Sequence, residues 1–142
     1  MGAVTTLMHA DSDPGLAGIV LDSPFCSLKE LAIELADKHA KVPEFLVKGV
    51  LKMVAGTIKD KAGFELKSLN PLKNHVGLSL CPAYFISATN DELIDPIHAE
   101  RLFNAYKGEK AYIRVEGYHN SDRDNEVNRK LYQFFYVCFG LD

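Results

Sequence analysis

Apolar residues gather in three short runs, Leu16–Leu21 (LAGIVL), Ala83–Ala88 (AYFISA) and Ala111–Val115 (AYIRV), which the pattern predicts as strands. The first two are nearly continuous in apolar or small residues, with no strict alternation. That is the pattern of strands whose two faces are both covered by helices in a parallel sheet. Segments of helical period lie between the runs, which is the arrangement of an α/β protein.

Ser27, followed three residues later by Glu30, forms a capping box at the start of a helix, and Leu28, Leu31, Ala32, Leu35 and Ala36 fall on one face behind it. Pro43 suits the first turn of a second helix, with Leu46, Val47, Val50, Leu51 and Val54 as its apolar stripe before Gly56. Residues 57–80 read as a polar connection, so that about 23–81 forms an excursion between two strands. Asp95 caps another helix opened by Pro96, carrying Ala99, Leu102, Phe103 and Tyr106 and ended by Gly108. The last helix runs from about Asn125 to Phe139. Val127, Leu131, Phe134, Phe135 and Cys138 lie on one side, while Tyr132, Tyr136 and Phe139 make the other side apolar too. Such a helix is either deeply buried or made to meet something else.

With 142 residues, 47% hydrophobic and 25% charged, the composition is that of one globular domain. Sixteen Lys and Arg against nineteen Asp and Glu give a net charge of −3, and no basic cluster could follow a phosphate backbone, so nucleic acid is not an expected partner. No apolar run is long enough to span a membrane and no signal peptide is recognisable, making a cytoplasmic protein the default expectation. The three cysteines, Cys26, Cys81 and Cys138, are well separated in apolar sequence and read as buried reduced thiols. No local His and Cys spacing signals a metal site, and no cofactor is expected.

Open parallel sheets place their chemistry in the turns after the strand carboxyl ends. Here those turns hold Asp22-Ser23-Pro24-Phe25, Thr89-Asn90-Asp91-Glu92 and Gly117-Tyr118-His119-Asn120. An Asp and a His at neighbouring strand ends can pair, the carboxylate fixing the imidazole tautomer and stabilising its cation. Asp95 is better explained as a helix cap, Asp22 as a carboxylate organising its own loop, and Ser23, with no flanking glycines, as a structural hydroxyl. Gly15-Leu16-Ala17-Gly18 precedes a strand and is no phosphate loop. His9, His39, His75 and His98 are expected on helix or loop surfaces, and Cys26 and Cys81 in the core.

The segment from Ile86 to Arg123, ISATNDELIDPIHAERLFNAYKGEKAYIRVEGYHNSDR, resembles the end of an α/β-hydrolase, with a strand leading to the acid, a helix, a strand leading to Gly-x-His and a closing helix. IVLDSPFCSL is similar to the strand and loop before the lid in the serine-aminopeptidase or Bem46-like branch. Met1-Gly2-Ala3-Val4 resembles the residues just after the nucleophile in a Gly-x-Ser-Met-Gly-Ala elbow. The resemblance implies an α/β fold that is the C-terminal half of such a domain: a partial domain over 1–142, three parallel strands flanked by helices, and a lid-like insertion at about 23–81. It further implies a serine hydrolase of esters, thioesters or amides, with Asp91 as the catalytic acid, His119 as the base and the backbone N–H of Met1 as one oxyanion donor. Asp22 is the rival acid, since some hydrolases draw theirs from the preceding strand end. Ala88 departs from the glycine usual before the acid.

The serine is then expected immediately before Met1, outside this chain, which by itself would be inactive. The alternative is a non-catalytic hydrolase-like module for binding or interaction. The partners expected are a small acyl or peptide substrate and, through an exposed sheet edge, another copy of the chain.

Overall fold

The computed structural model describes residues 1–63 and 65–141. Its elements in order are α1 (Gly2–Ala10), β1 (Ile19–Asp22), α2 (Leu28–Ala40), α3 (Glu44–Ala62), a 3-10 turn (Leu66–Ser68), α4 (Pro71–Asn74), β2 (Ala83–Ala88), α5 (Pro96–Ala105), β3 (Lys110–Val115) and α6 (Asn125–Cys138). The strands form one parallel sheet in the order β1-β2-β3. Ile19 lies beside Ala83 and Ala83 beside Lys110, so all three carboxyl ends come out at one edge of the molecule.

Helices cover both faces. Ile19, Leu21, Ala83 and Phe85 point toward α1 and α5, where Leu7, Ala10, Leu102 and Tyr106 complete a buried cluster. The intervening residues Val20, Tyr84, Ile86 and Ile113 point the other way and are covered by Val127 and Leu131 of α6. This is the two-sided burial that the unbroken apolar runs require. A Cβ on Gly18 would stand 2.7 Å from the Cys138 sulfur, so its lack of a side chain lets the end of α6 approach the entry to β1.

Several boundaries differ from expectation. The first strand is Ile19–Asp22, displaced toward the polar end of its run, while Leu16 packs on the core without joining the sheet. α3 passes through Gly56 to Ala62, because nothing at Gly56 stops it and the left-handed C-cap is Gly63, at φ +73°. The supposed polar connection thus contains the end of a helix, a 3-10 turn and α4, whose N-cap Asn70 accepts the Lys73 N–H. On α3 only Val47 of the expected stripe is buried; Leu46, Val50 and Val54 are exposed, as are Phe45 and Met53. The outer side of α6 is open too, with Tyr132, Tyr136, Val137 and Phe139 exposed. No helix among the described residues is long and apolar enough to cross a membrane.

Candidate active site at the strand ends

The turns after β2 and β3 are joined by their backbones. Thr89 donates its N–H (2.8 Å) and its hydroxyl (3.0 Å) to the Val115 carbonyl, and the Asn90 N–H reaches the Gly117 carbonyl at 2.9 Å. Gly117 turns the chain at φ +112°, where a Cβ would also collide with Ser121 at 2.9 Å. Beyond it the Ser121 hydroxyl accepts the Tyr118 N–H at 2.8 Å, closing a tight loop with His119 at its centre.

Asp91 and His119 meet inside this frame. Oδ1 of Asp91 accepts the N–H groups of Leu93 (2.9 Å) and Ile94 (2.8 Å), while Oδ2 lies 2.7 Å from His119 Nδ1. The Asp91 side chain is 0% exposed and that of His119 29%. Burial opposes charge on the carboxyl, but donation from Ile94, His119 and Leu93 outweighs it and holds Asp91 below its ordinary value. A carboxylate can only accept, so Nδ1 carries the hydrogen, and in the neutral ring the lone pair lies on Nε2. Nε2 has no hydrogen-bond partner among the described residues. Such an imidazole can take a proton at its outer nitrogen while the carboxylate steadies the resulting cation.

Asp22 belongs to a separate contact. Arg123 grips it with Nε on Oδ2 and Nη2 on Oδ1, both at 2.9 Å, and also donates to the carbonyls of Tyr118, His119 and Ser121. This two-pronged pair ties the His119 loop to the end of β1. The expected loop-organising role of Asp22 thus has a partner that sequence reading missed, because Arg123 is 101 residues away and no local pattern marks it. Ser23 is buried at φ +48° with its hydroxyl on Asp22, and Asp95 caps α5 through the Ile97 N–H.

Met1 is the exposed N-cap of α1, and no hydrogen bond joins it to Asp91 or His119 among the described residues. Two histidines depart from the expected surface placement. His75 is mostly buried and paired with Asp11, and His98 is wholly buried against Cys26 and Glu34. Both lie near a carboxylate that only tertiary folding supplies. All three cysteines are free, but only Cys26 is fully buried. Burial pushes its thiol up to about 12, against the pull of Arg101, so as a bare thiol it is a poor nucleophile.

No family model matches the chain. The uncharacterized protein YqkD of Bacillus subtilis (strain 168) is 28% identical over 141 residues, covering 95% of this chain and 45% of YqkD. Acetyl xylan esterase 1 from Thermoanaerobacterium sp. JW/SL YS485 superposes on 97% of the chain with a TM-score of 0.68 at 13% identity. The three-strand parallel sheet flanked by helices matches the C-terminal part of the α/β-hydrolase fold. A puromycin-hydrolyzing peptidase of Mycobacterium tuberculosis shares this α/β-hydrolase architecture over 99% of the chain, with a TM-score of 0.70 at 20% identity. The chain spans 45% of YqkD, 43% of the esterase and 21% of the peptidase, less than half of each of these three.

The buried carboxylate has a consequence for stability. Asp91 binds its proton less readily in the folded than in the unfolded chain, so its contribution is complete above the ordinary value of 3.8 and is lost as pH falls through and below it. The urea midpoint of the native protein should fall between about pH 4 and pH 2, and Asp91→Asn should flatten part of that fall. An identical acid dependence in both proteins would show that the fold does not hold this carboxylate charged.

Proposed function

We propose that residues 1–142 supply the acid–base portion of a serine hydrolase that cleaves an ester, thioester or amide bond. The observation that carries this reading is His119, bound through Nδ1 to a buried carboxylate with Nε2 left for a reacting group. The nucleophile is a serine outside these residues, at the position immediately before Met1. Its hydroxyl oxygen attacks the acyl carbon as Nε2 of His119 takes the proton, and Asp91 orients the ring and stabilises the cation. His119 then returns the proton to the leaving alkoxide, thiolate or amine. Water enters by the same route, giving a proton to His119 as its oxygen bonds the acyl carbon, and His119 returns that proton to the serine oxygen as the carboxylic acid departs. The Met1 backbone N–H is one donor to the oxyanion. The esterase and peptidase that share the fold support acyl chemistry in general, and the helices between Ser27 and Gly63 form the lid-like wall over the substrate. Side chains and water suffice for this reaction, with no cofactor.

The test uses the polypeptide translated from the complete reading frame that contains these residues. A fluorophosphonate should label a serine preceding Met1. His119→Ala or Asp91→Asn should lower hydrolysis of p-nitrophenyl acetate by at least about a hundredfold while circular dichroism is unchanged. The isolated 142-residue chain should not be labelled. Labelling of that chain, or hydrolysis indifferent to His119→Ala, would refute the assignment.

One observation favours the second reading, a non-catalytic module that associates with its own kind. β1 is an edge strand, and beside it a groove of about 660 Å³ is lined by Thr6 and His9 of α1, Ile19 and Val20 of β1, and Phe135 of α6. Open edges of this kind pair with further strands. Sedimentation of the isolated chain should show dimers or larger species as concentration rises. A monomer up to millimolar concentration would exclude this reading.

A further inference from the structure

A second cluster of chemistry-bearing side chains lies where α2 meets α5. Cys26 comes from the turn after β1, Glu30 and Glu34 from one face of α2, and His98 and Arg101 from α5. Glu30 holds the capping-box position after Ser27, and the Ser27 hydroxyl does accept the Glu30 N–H at 3.4 Å. The Glu30 carboxylate makes no return bond to Ser27. It lies 2.7 Å from Arg101 Nη1 and 3.4 Å from the Cys26 sulfur.

His98 is fixed on both nitrogens. Nε2 faces Glu34 at 2.7 Å, and since that carboxylate can only accept, Nε2 carries the hydrogen. Nδ1 is therefore the lone-pair nitrogen, and both the Cys26 backbone N–H (3.3 Å) and the Cys26 sulfur (2.9 Å) converge on it. The result is a neutral imidazole oriented by a carboxylate behind it, a thiol in front and a second carboxylate alongside. The sulfur, the nitrogen and a Glu30 oxygen all lie within 4.8 Å of one another.

We propose that Cys26, Glu30 and His98 form a binding site for a borderline-soft divalent cation, with Zn²⁺ as the natural occupant. Thiolate sulfur, imidazole nitrogen and carboxylate oxygen are the three donor types zinc accepts, and a carboxylate on the far ring nitrogen is the usual support of a zinc-bound histidine. The Cys26 thiolate, Glu30 and Glu34 carry three negative charges against the two of the ion and the one on Arg101. The ion enters from solvent on the side of Glu30, whose side chain is 43% exposed, whereas Cys26 and His98 are sealed. A zinc–sulfur bond forms as the thiol proton leaves to solvent, and water takes the fourth position. A tetrahedral ion keeps its sulfur and nitrogen ligands about 3.5 Å apart, so the Cys26 side chain turns away from Nδ1 by roughly half an ångström. Glu30 exchanges part of its contact with Arg101 for the ion. Cys26 and His98 are 72 residues apart, which is why no local spacing signals the site.

Metal-free protein titrated with Co²⁺ should take up one equivalent and develop a near-ultraviolet thiolate-to-cobalt absorption band. Zn²⁺ should abolish that band and raise the melting temperature. Cys26→Ser should remove both effects, whereas Cys138→Ser and His119→Ala should leave them unchanged. Glu34→Gln, at an exposed position, should weaken Co²⁺ binding by about tenfold or more with the fold intact. Glu30→Gln should do likewise, and it decides the matter if Cys26→Ser does not fold. No thiolate band at one equivalent, a band that survives Cys26→Ser, or an affinity unchanged by Glu30→Gln would overturn the proposal.

Discussion

A carboxylate removed from water keeps its charge only where donors replace the water, and the turns after β2 and β3 are arranged around that requirement for Asp91. Two backbone N–H groups of its own turn occupy one oxygen, and an imidazole from the next strand end occupies the other. The N–H groups hold the carboxylate in place, and the parallel register of β2 with β3 brings His119 to it. The bonds from Thr89 and Asn90 to Val115 and Gly117 then keep the two turns from parting.

The same principle operates at the neighbouring strand end. Asp22 lies at the end of β1, and its oxygens receive the two prongs of Arg123 while that guanidinium also gathers carbonyls of the His119 loop. The loop carrying the histidine is thus anchored to all three strands, through Asp91 and Thr89 on one side and Asp22 on the other. A third buried polar group, His98, is met by Cys26 and Glu34 beneath α2. Among the described residues no buried side-chain nitrogen or oxygen lacks a partner. Burial in this fold is consistently accompanied by hydrogen bonding, which makes each polar cluster a defined geometry.

Local patterns made the sheet legible. Continuous apolar runs gave the three strands to within a few residues, and the Asp95-Pro96 cap gave the start of α5, because these signals act between near neighbours in the chain. Asp91 and His119 could be singled out by position at strand ends, and the structure brings them together. Arg123 and the burial of His98 were beyond such reading, since each depends on a partner brought close only by folding. The continuation of α3 past Gly56 has a local cause: an interior glycine merely weakens a helix, whereas Gly63 at positive φ ends one. The apolar stripe of α3 was visible in sequence, but its exposure was not, because period shows which residues share a face and not what that face meets.

His119 presents an unprotonated Nε2 in its neutral form because Asp91 holds the proton on Nδ1. Nitrogen-15 NMR of the histidine rings at about pH 9, where an ordinary imidazole is neutral, observes this directly. His119 should show a protonated Nδ1 and a bare Nε2, with a downfield Nδ1 proton that disappears in Asp91→Asn. A His119 ring protonated on Nε2, or one whose tautomer is the same with and without the Asp91 carboxylate, would contradict the account.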